Sequence, residues 1–182
     1  MYYGEKGMKL SILITLLNEE LVLAQTHAAI SAQLEDMLGK DLSDYEILYI
    51  DDGSNDRTFE LIAGIASDNN RVKYIRFSRN FGRESGILAG FKYATGDAVM
   101  VMDGDLQHPP YLIPLFLEAY KEVYDIVSGQ RTRDGESFVG STFARLFYFL
   151  SNKSMDVHLT DGKSELRLLS RKAINAFVSM PE

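Results

Sequence analysis

Four apolar runs in this chain each break off into polar residues, and that repeated junction most restricts the fold. Residues 10–16, 46–50, 72–77 and 98–102 are rich in Val, Ile, Leu and Tyr, as expected of strands buried on both faces. Between them, residues 20–38, 57–66 and 84–93 carry apolar side chains at helical spacing, and Pro109-Pro110 opens a further helix to about residue 123. A fifth strand is expected over residues 125–128. Strands alternating with amphipathic helices predict an α/β architecture built on a parallel sheet. Right-handed crossovers then put the helices on the faces and gather the C-terminal ends of the strands along one edge. Asn18-Glu19, Asp51-Asp52-Gly53-Ser54 and Asp103-Gly104-Asp105 each follow a strand, so three polar clusters converge there on one crevice.

With 182 residues, 46% of them hydrophobic, the chain holds enough apolar material for one substantial core. Residues 1–8 are polar and Gly-containing; they are expected to be an extension, with the domain over residues 9–182. The formal net charge of −7 argues against a nucleic-acid partner, while a local arginine group can still hold a phosphate. There is no cysteine for a disulfide or thiolate zinc site, and His27, His108 and His158 are too scattered for a local histidine motif. No stretch approaches the ~18 uninterrupted apolar residues of a membrane span, so a soluble or peripheral chain is expected.

Asp103 and Asp105, separated by one glycine after the run Val99-Met100-Val101-Met102, would be held close together at a buried strand end. Their repulsion is relieved by a cation, and the oxygen donors Asp103, Asp105 and Gln107 suit Mg2+ or Mn2+ better than zinc. A polar turn that caps the next helix explains the same residues without a metal. In the second cluster, Gly53 permits a tight turn and Ser54, Asn55 or Asp56 can cap a helix, which leaves Asp51 and Asp52 available to bind a base or ribose. Asn18 and Glu19 either cap the first helix or contact a nucleoside. Arg76, Arg79, Arg83 and Lys92 read as a solvated face paired with Glu84, whereas Arg131, Arg133 and Arg145 follow the fifth strand and match phosphate geometry. Residues 138–152 form an apolar stripe with aromatic margins, read as a core helix in preference to an interfacial one.

Taken in order, Ser11-Ile-Leu-Ile-Thr-Leu-Leu-Asn-Glu-Glu20, Ile50-Asp-Asp-Gly-Ser-Asn-Asp56, Ser78-Arg-Asn-Phe-Gly-Arg-Glu84 and Met102-Asp-Gly-Asp-Leu-Gln-His-Pro-Pro110 resemble family 2 glycosyltransferases. The branch they resemble is that of the polyprenyl-phosphate transferases, which includes the dolichol-phosphate mannose synthases and the undecaprenyl-phosphate sugar transferases. The resemblance runs from about Lys9 to Glu182. It implies a GT-A, Rossmann-like fold, with a mixed, mostly parallel sheet flanked by helices, and inverting transfer from a UDP- or GDP-linked sugar to a polyprenyl phosphate lipid. It also implies a cytoplasmic-face membrane location for the intact protein.

By position, the resemblance assigns Asn18, Glu19, Asp51, Asp52, Asp103 and Gly104 to the nucleotide sugar and Asp103, Asp105 and Gln107 to Mg2+ or Mn2+. It assigns Arg131 and Arg145 to the acceptor phosphate, and Asp103, Asp105, Arg131 and Glu165 to catalysis. Ser164 to Arg171 resembles the family's Asp-Phe-Arg-Leu stretch near the acceptor, with Glu165 at the Asp position and Leu166 at the Phe. Thr15 and Leu17 replace the usual Pro and Tyr. The family continues past the position of Glu182 into a further loop, an interfacial helix and often membrane spans, so a C-terminal truncation is expected.

An anionic lipid phosphate needs positioning more than it needs a general base. Transfer to a saccharide hydroxyl would instead require a base such as Glu165 or Asp161. A haloacid-dehalogenase-type phosphatase and a phosphoacceptor receiver domain are the rival readings. Gln107 and the late strand position of Asp103 speak against the first, and Asn18-Glu19 after the first strand speaks against the second. Self-association into a homo-oligomer stays open.

Overall fold

The structure is a computed structural model that describes residues 7–105, 108–121, 124–130 and 163–180. Strand β1 (Met8–Leu16) leads to helix α1 (Leu23–Met37), β2 (Leu42–Asp51) to α2 (Thr58–Asp68), β3 (Val72–Arg76) to α3 (Arg83–Tyr93), and β4 (Ala98–Asp103) to α4 (Leu112–Lys121). Strands β5 (Ile126–Gln130) and β6 (Lys163–Ser170) follow, then α5 (Arg171–Val178). Met1–Val127 together with Leu166–Glu182 form one compact unit and Ser128–Glu165 another. Of the second unit only the end of β5 and the start of β6 are described. The loop and helix expected over residues 131–137 and 138–152 lie outside the described residues.

The strand order is β3-β2-β1-β4-β6-β5. β1 pairs in parallel with both β2 and β4, β2 pairs in parallel with β3, and β6 runs antiparallel to β4. The sheet is thus mixed and mostly parallel, as expected. Chain order reverses on either side of β1, where ligands bind in open α/β sheets. The register there pairs Leu16 with Asp51 and Thr15 with Asp103, so the ends of β2 and β4 lie on either side of the end of β1.

Because side chains alternate along a strand, β1 fills two cores. Leu10, Ile12, Ile14 and Leu16 pack with Ile30 and Leu34 of α1 and Ile113 and Leu117 of α4. Leu13 lies in the other core with Leu48, Ile50, Val99, Val101, Phe91 of α3 and Ile174 of α5. Each such side chain contributes about 1.5–3 kcal/mol through burial. Helix α3 lies close to the sheet because Gly90 has no Cβ; one there would overlap Leu13.

Element boundaries differ from the sequence reading in instructive ways. β2 begins at Leu42 rather than 46, taking in the buried Leu42 and Tyr45. α1 begins at Leu23 rather than 20, since Glu19 to Val22 form a turn in which the Glu19 carbonyl accepts the N–H of Val22 and of Leu23. β1 takes in Met8, which is 7% exposed, from the end of the expected extension. β6 and α5 had no counterpart in the expected elements. Leu168 of β6 pairs with Met100 of β4, a partnership that sequence periodicity over one short strand does not reveal.

The return of the chain through β6 is fastened by polar groups. Ser170 donates its N–H to the Asp125 carbonyl at 2.9 Å and its hydroxyl to Asp125 Oδ1 at 2.7 Å. Lys172 donates to Asp125 Oδ2 at 2.8 Å, and the Arg171 guanidinium donates to the carbonyls of Ala94 and Gly96.

Candidate functional site

At the C-terminal edge of the sheet the turns after β1 and β2 are laced together. Asn18 adopts φ 57°, a left-handed conformation that asparagine tolerates. Its N–H donates to Ser54 Oγ at 2.9 Å, and its Oδ1 accepts the Asn55 N–H at 2.8 Å. The Glu19 N–H donates to Thr58 Oγ1 at 2.8 Å, and Glu20 Oε2 accepts the Arg57 N–H at 3.0 Å. Asp56 Oδ1 accepts the Thr58 N–H at 3.0 Å at the start of α2, the capping role expected for this cluster. Gly53 is required here: φ is 76°, and a Cβ would lie 2.5 Å from the Arg79 backbone.

Asp51 and Asp52 are both buried but have different partners. Asp52, 5% exposed, accepts the N–H of Phe81 at 2.7 Å on Oδ1 and of Gly82 at 3.0 Å on Oδ2. Both of its oxygens therefore hold the loop that enters α3. Asp51, 0% exposed, accepts the Ser54 N–H at 3.0 Å on Oδ1. Its Oδ2 has no hydrogen bond; Arg76 Nε lies 3.4 Å away, within ion-pair distance but without hydrogen-bond geometry. Arg76 itself stacks over the Phe59 ring at 4.0 Å.

Asp103 ends β4. Arg83, the first residue of α3, donates from Nη2 to Asp103 Oδ1 at 2.5 Å, and buried His108 brings Nδ1 to 3.2 Å from Oδ2, an electrostatic approach without hydrogen-bond geometry. Arg83, expected on a solvated face with Glu84, thus pairs with Asp103. Sequence reading assigned no site role to Arg83 or His108. Their signals were their places inside two of the motifs that carry the family resemblance, Arg83 just after Gly82 and His108 just before Pro109-Pro110. Gly104 is buried and its carbonyl accepts the Thr26 hydroxyl at 2.8 Å, which ties the β4 turn to α1.

Electrostatic crowding marks the remaining acids. Burial raises the Glu19 carboxyl above its ordinary range, and the charges of Asp105 and then Asp56 raise it further. An oxygen-rich setting in which carboxylates repel one another fits a hard divalent cation. Among the described residues no three His, Asp or Glu side chains gather into a complete cation site. Gln107, Arg131, Arg133, Arg145 and Asp161 lie outside the described residues, as does the side chain of Glu165.

The chain is similar to known proteins over nearly its whole length. The model of glycosyl transferase family 2 matches residues 11–177. CsbB of Bacillus subtilis, named as a glycosyltransferase, is 45% identical over 173 residues, covering 95% of this chain and 51% of its own. The undecaprenyl-phosphate 4-deoxy-4-formamido-L-arabinose transferase of Aeromonas hydrophila is 33% identical over 173 residues, covering 94% of this chain and 52% of its own. The chain spans about half the length of the curated relatives it matches. A mannosyltransferase from Pyrobaculum calidifontis in complex with GDP-Man and Mn2+ superposes with a TM-score of 0.64 at 18% identity, over 96% of this chain and 48% of that one. The fold is GT-A. A match over nearly its whole length, on the architecture that brings these strand-end acids together, makes this chain a member of glycosyl transferase family 2.

Proposed function

We propose that the chain binds a nucleoside diphosphate sugar at the C-terminal edge of the sheet and transfers the sugar, with inversion, to a polyprenyl phosphate. The observation that carries the donor half is the register that sets Asp51 and Asp103 on either side of the end of β1. Asp51 Oδ2 is a buried carboxylate oxygen without a hydrogen bond, faced by Arg76 at 3.4 Å, and would accept an N–H of the base once that guanidinium moves aside. Asp52 supports the site from behind, through Phe81 and Gly82. Asn18 and Glu19 border the nucleoside, and Gly104 keeps the turn close to Leu16.

Asp103, Asp105 and Gln107 would hold Mg2+ or Mn2+, which when bound supplies Lewis-acid neutralisation of the leaving diphosphate. The chain's own part is to orient the donor and place the acceptor phosphate for in-line attack on the anomeric carbon. A lipid phosphate is already anionic, so Arg131 and Arg145 serve it by positioning, and Glu165 becomes an essential base only for a saccharide hydroxyl. The lipid reading is supported by relatives named for undecaprenyl-phosphate transfer. Among the described residues no helix is long and apolar enough to cross a membrane. Work at the cytoplasmic membrane face is part of the proposal for the intact protein.

Calorimetric titration of UDP, GDP and their sugars, with and without Mn2+, tests the donor half; no metal-dependent binding would sink it. Transfer to undecaprenyl phosphate against transfer to a saccharide tests the acceptor half. Loss of transfer in Glu165→Gln with donor binding intact would favour the hydroxyl acceptor.

A further inference from the structure

Asp103, the first acid of the candidate cation site, is already approached on both oxygens by the chain itself. Arg83 Nη2 lies 2.5 Å from Oδ1, and His108 Nδ1 lies 3.2 Å from Oδ2. The guanidinium keeps its charge at any accessible pH, so it can yield the carboxylate only by moving. Its side chain is 29% exposed, which leaves room to swing. Its backbone is fixed, since Asp52 clamps the N–H groups of the two preceding residues, Phe81 and Gly82. A divalent ion held by this carboxylate would stand against the Arg83 guanidinium, setting two cations against each other at Asp103.

We infer that Arg83 is the resident counter-ion of Asp103, that it competes with the divalent cation for this carboxylate, and that it transfers to the donor diphosphate once the cation is seated. The inference rests on the donor-binding reading above. Its consequence is a coupling between the two ligands. A cation arriving alone must displace Arg83 into water, whereas with a nucleoside diphosphate present the fork finds phosphate oxygens that match its geometry. By reciprocity, each ligand then tightens the other by the same factor. Arg83 acts here as a positioning residue that reads whether both ligands are present.

The test titrates Mn2+ alone, and UDP and GDP with and without saturating Mn2+, into the wild-type chain, Arg83→Gln and Arg83→Lys. In Arg83→Gln, Kd for Mn2+ alone should fall about tenfold, and the factor by which Mn2+ tightens the nucleotide should shrink by a similar amount. A lesion that merely loosened the fold would weaken Mn2+ binding, so tighter binding separates competition from support. A variant that melts like wild type and binds Mn2+ no more tightly overturns the inference. If Arg83→Gln does not fold, Arg83→Lys decides. Its ammonium lacks the fork, so a several-fold loss of coupling supports the inference and wild-type coupling overturns it. A wild-type chain with no Mn2+-dependent nucleotide binding removes the donor reading, and the inference with it.

Discussion

Glu46 and Asp51 stand on the same strand, both buried, at 2% and 0% exposure, yet the chain treats them in opposite ways. Around Glu46 every requirement is met internally. Oε1 accepts the Ser11 hydroxyl at 2.7 Å and the Thr95 N–H at 2.6 Å, and Oε2 accepts Lys73 Nζ at 2.7 Å. Burial alone would push this carboxyl up, but these donors outweigh it and hold it down to about 2. Asp51, toward the C-terminal edge, keeps an oxygen without a hydrogen bond, with Arg76 only at ion-pair distance, 3.4 Å. A buried carboxylate completed by its own chain is a structural joint, while one left incomplete is suited to something the chain does not supply.

The largest effect that would break this contrast is at Asp103. Asp103→Asn should lower sugar transfer by roughly 10³-fold, the equivalent of the several kcal/mol that charge stabilisation supplies, while the melting temperature stays close to wild type. Steady-state transfer assays paired with thermal melts read both; a variant that keeps wild-type transfer, or that melts far below wild type, would contradict the division of roles. At the completed end the pattern should invert. Glu46→Ala orphans the Ser11 and Thr95 donors and should cost about 3 kcal/mol in urea unfolding, with nucleotide affinity unchanged.

Asp51→Asn is expected to be milder. It should weaken nucleotide binding about tenfold, the scale of one charge-assisted hydrogen bond, and leave stability nearly unaltered. Equal loss of affinity for a free nucleoside would locate the contact at the base or ribose rather than at the phosphates. The smallest effects are slopes with pH. Glu46, lowered from 4.5 to about 2, stabilises the fold fully above 4.5, and that contribution is lost as pH falls toward 2. Glu19 is raised, so the native state binds more protons than the unfolded chain just above 4.5, and its contribution is lost as pH rises through that window. Urea midpoints measured across this range in Glu46→Gln and Glu19→Gln should each flatten one slope and leave the other.

The contrast also shows what was legible in the sequence. β1, β2 and β4 could be read because both faces of each are buried, giving continuous apolar runs that end where the acids begin. The Asp56 cap was legible because its donor is only two residues away. Asp51 and Asp52 could not be told apart, since adjacent positions differ only in which neighbours they meet. Phe81 and Gly82, the neighbours of Asp52, arrive from a different loop. The Arg83 to Asp103 contact was hidden for the same reason: it joins the start of α3 to the end of β4. β6 was hidden because Leu168 meets Met100 only after the chain has returned.

That return has a consequence for tolerance to change. Ser170 and Lys172 clasp Asp125, and Arg171 grips the Ala94 and Gly96 carbonyls, so the two flanks of residues 128–165 are tied down by groups outside that stretch. Clasps that close on the core from outside a stretch do not depend on what lies within it. A loop of different length placed between them should therefore leave the melting temperature of the core close to wild type.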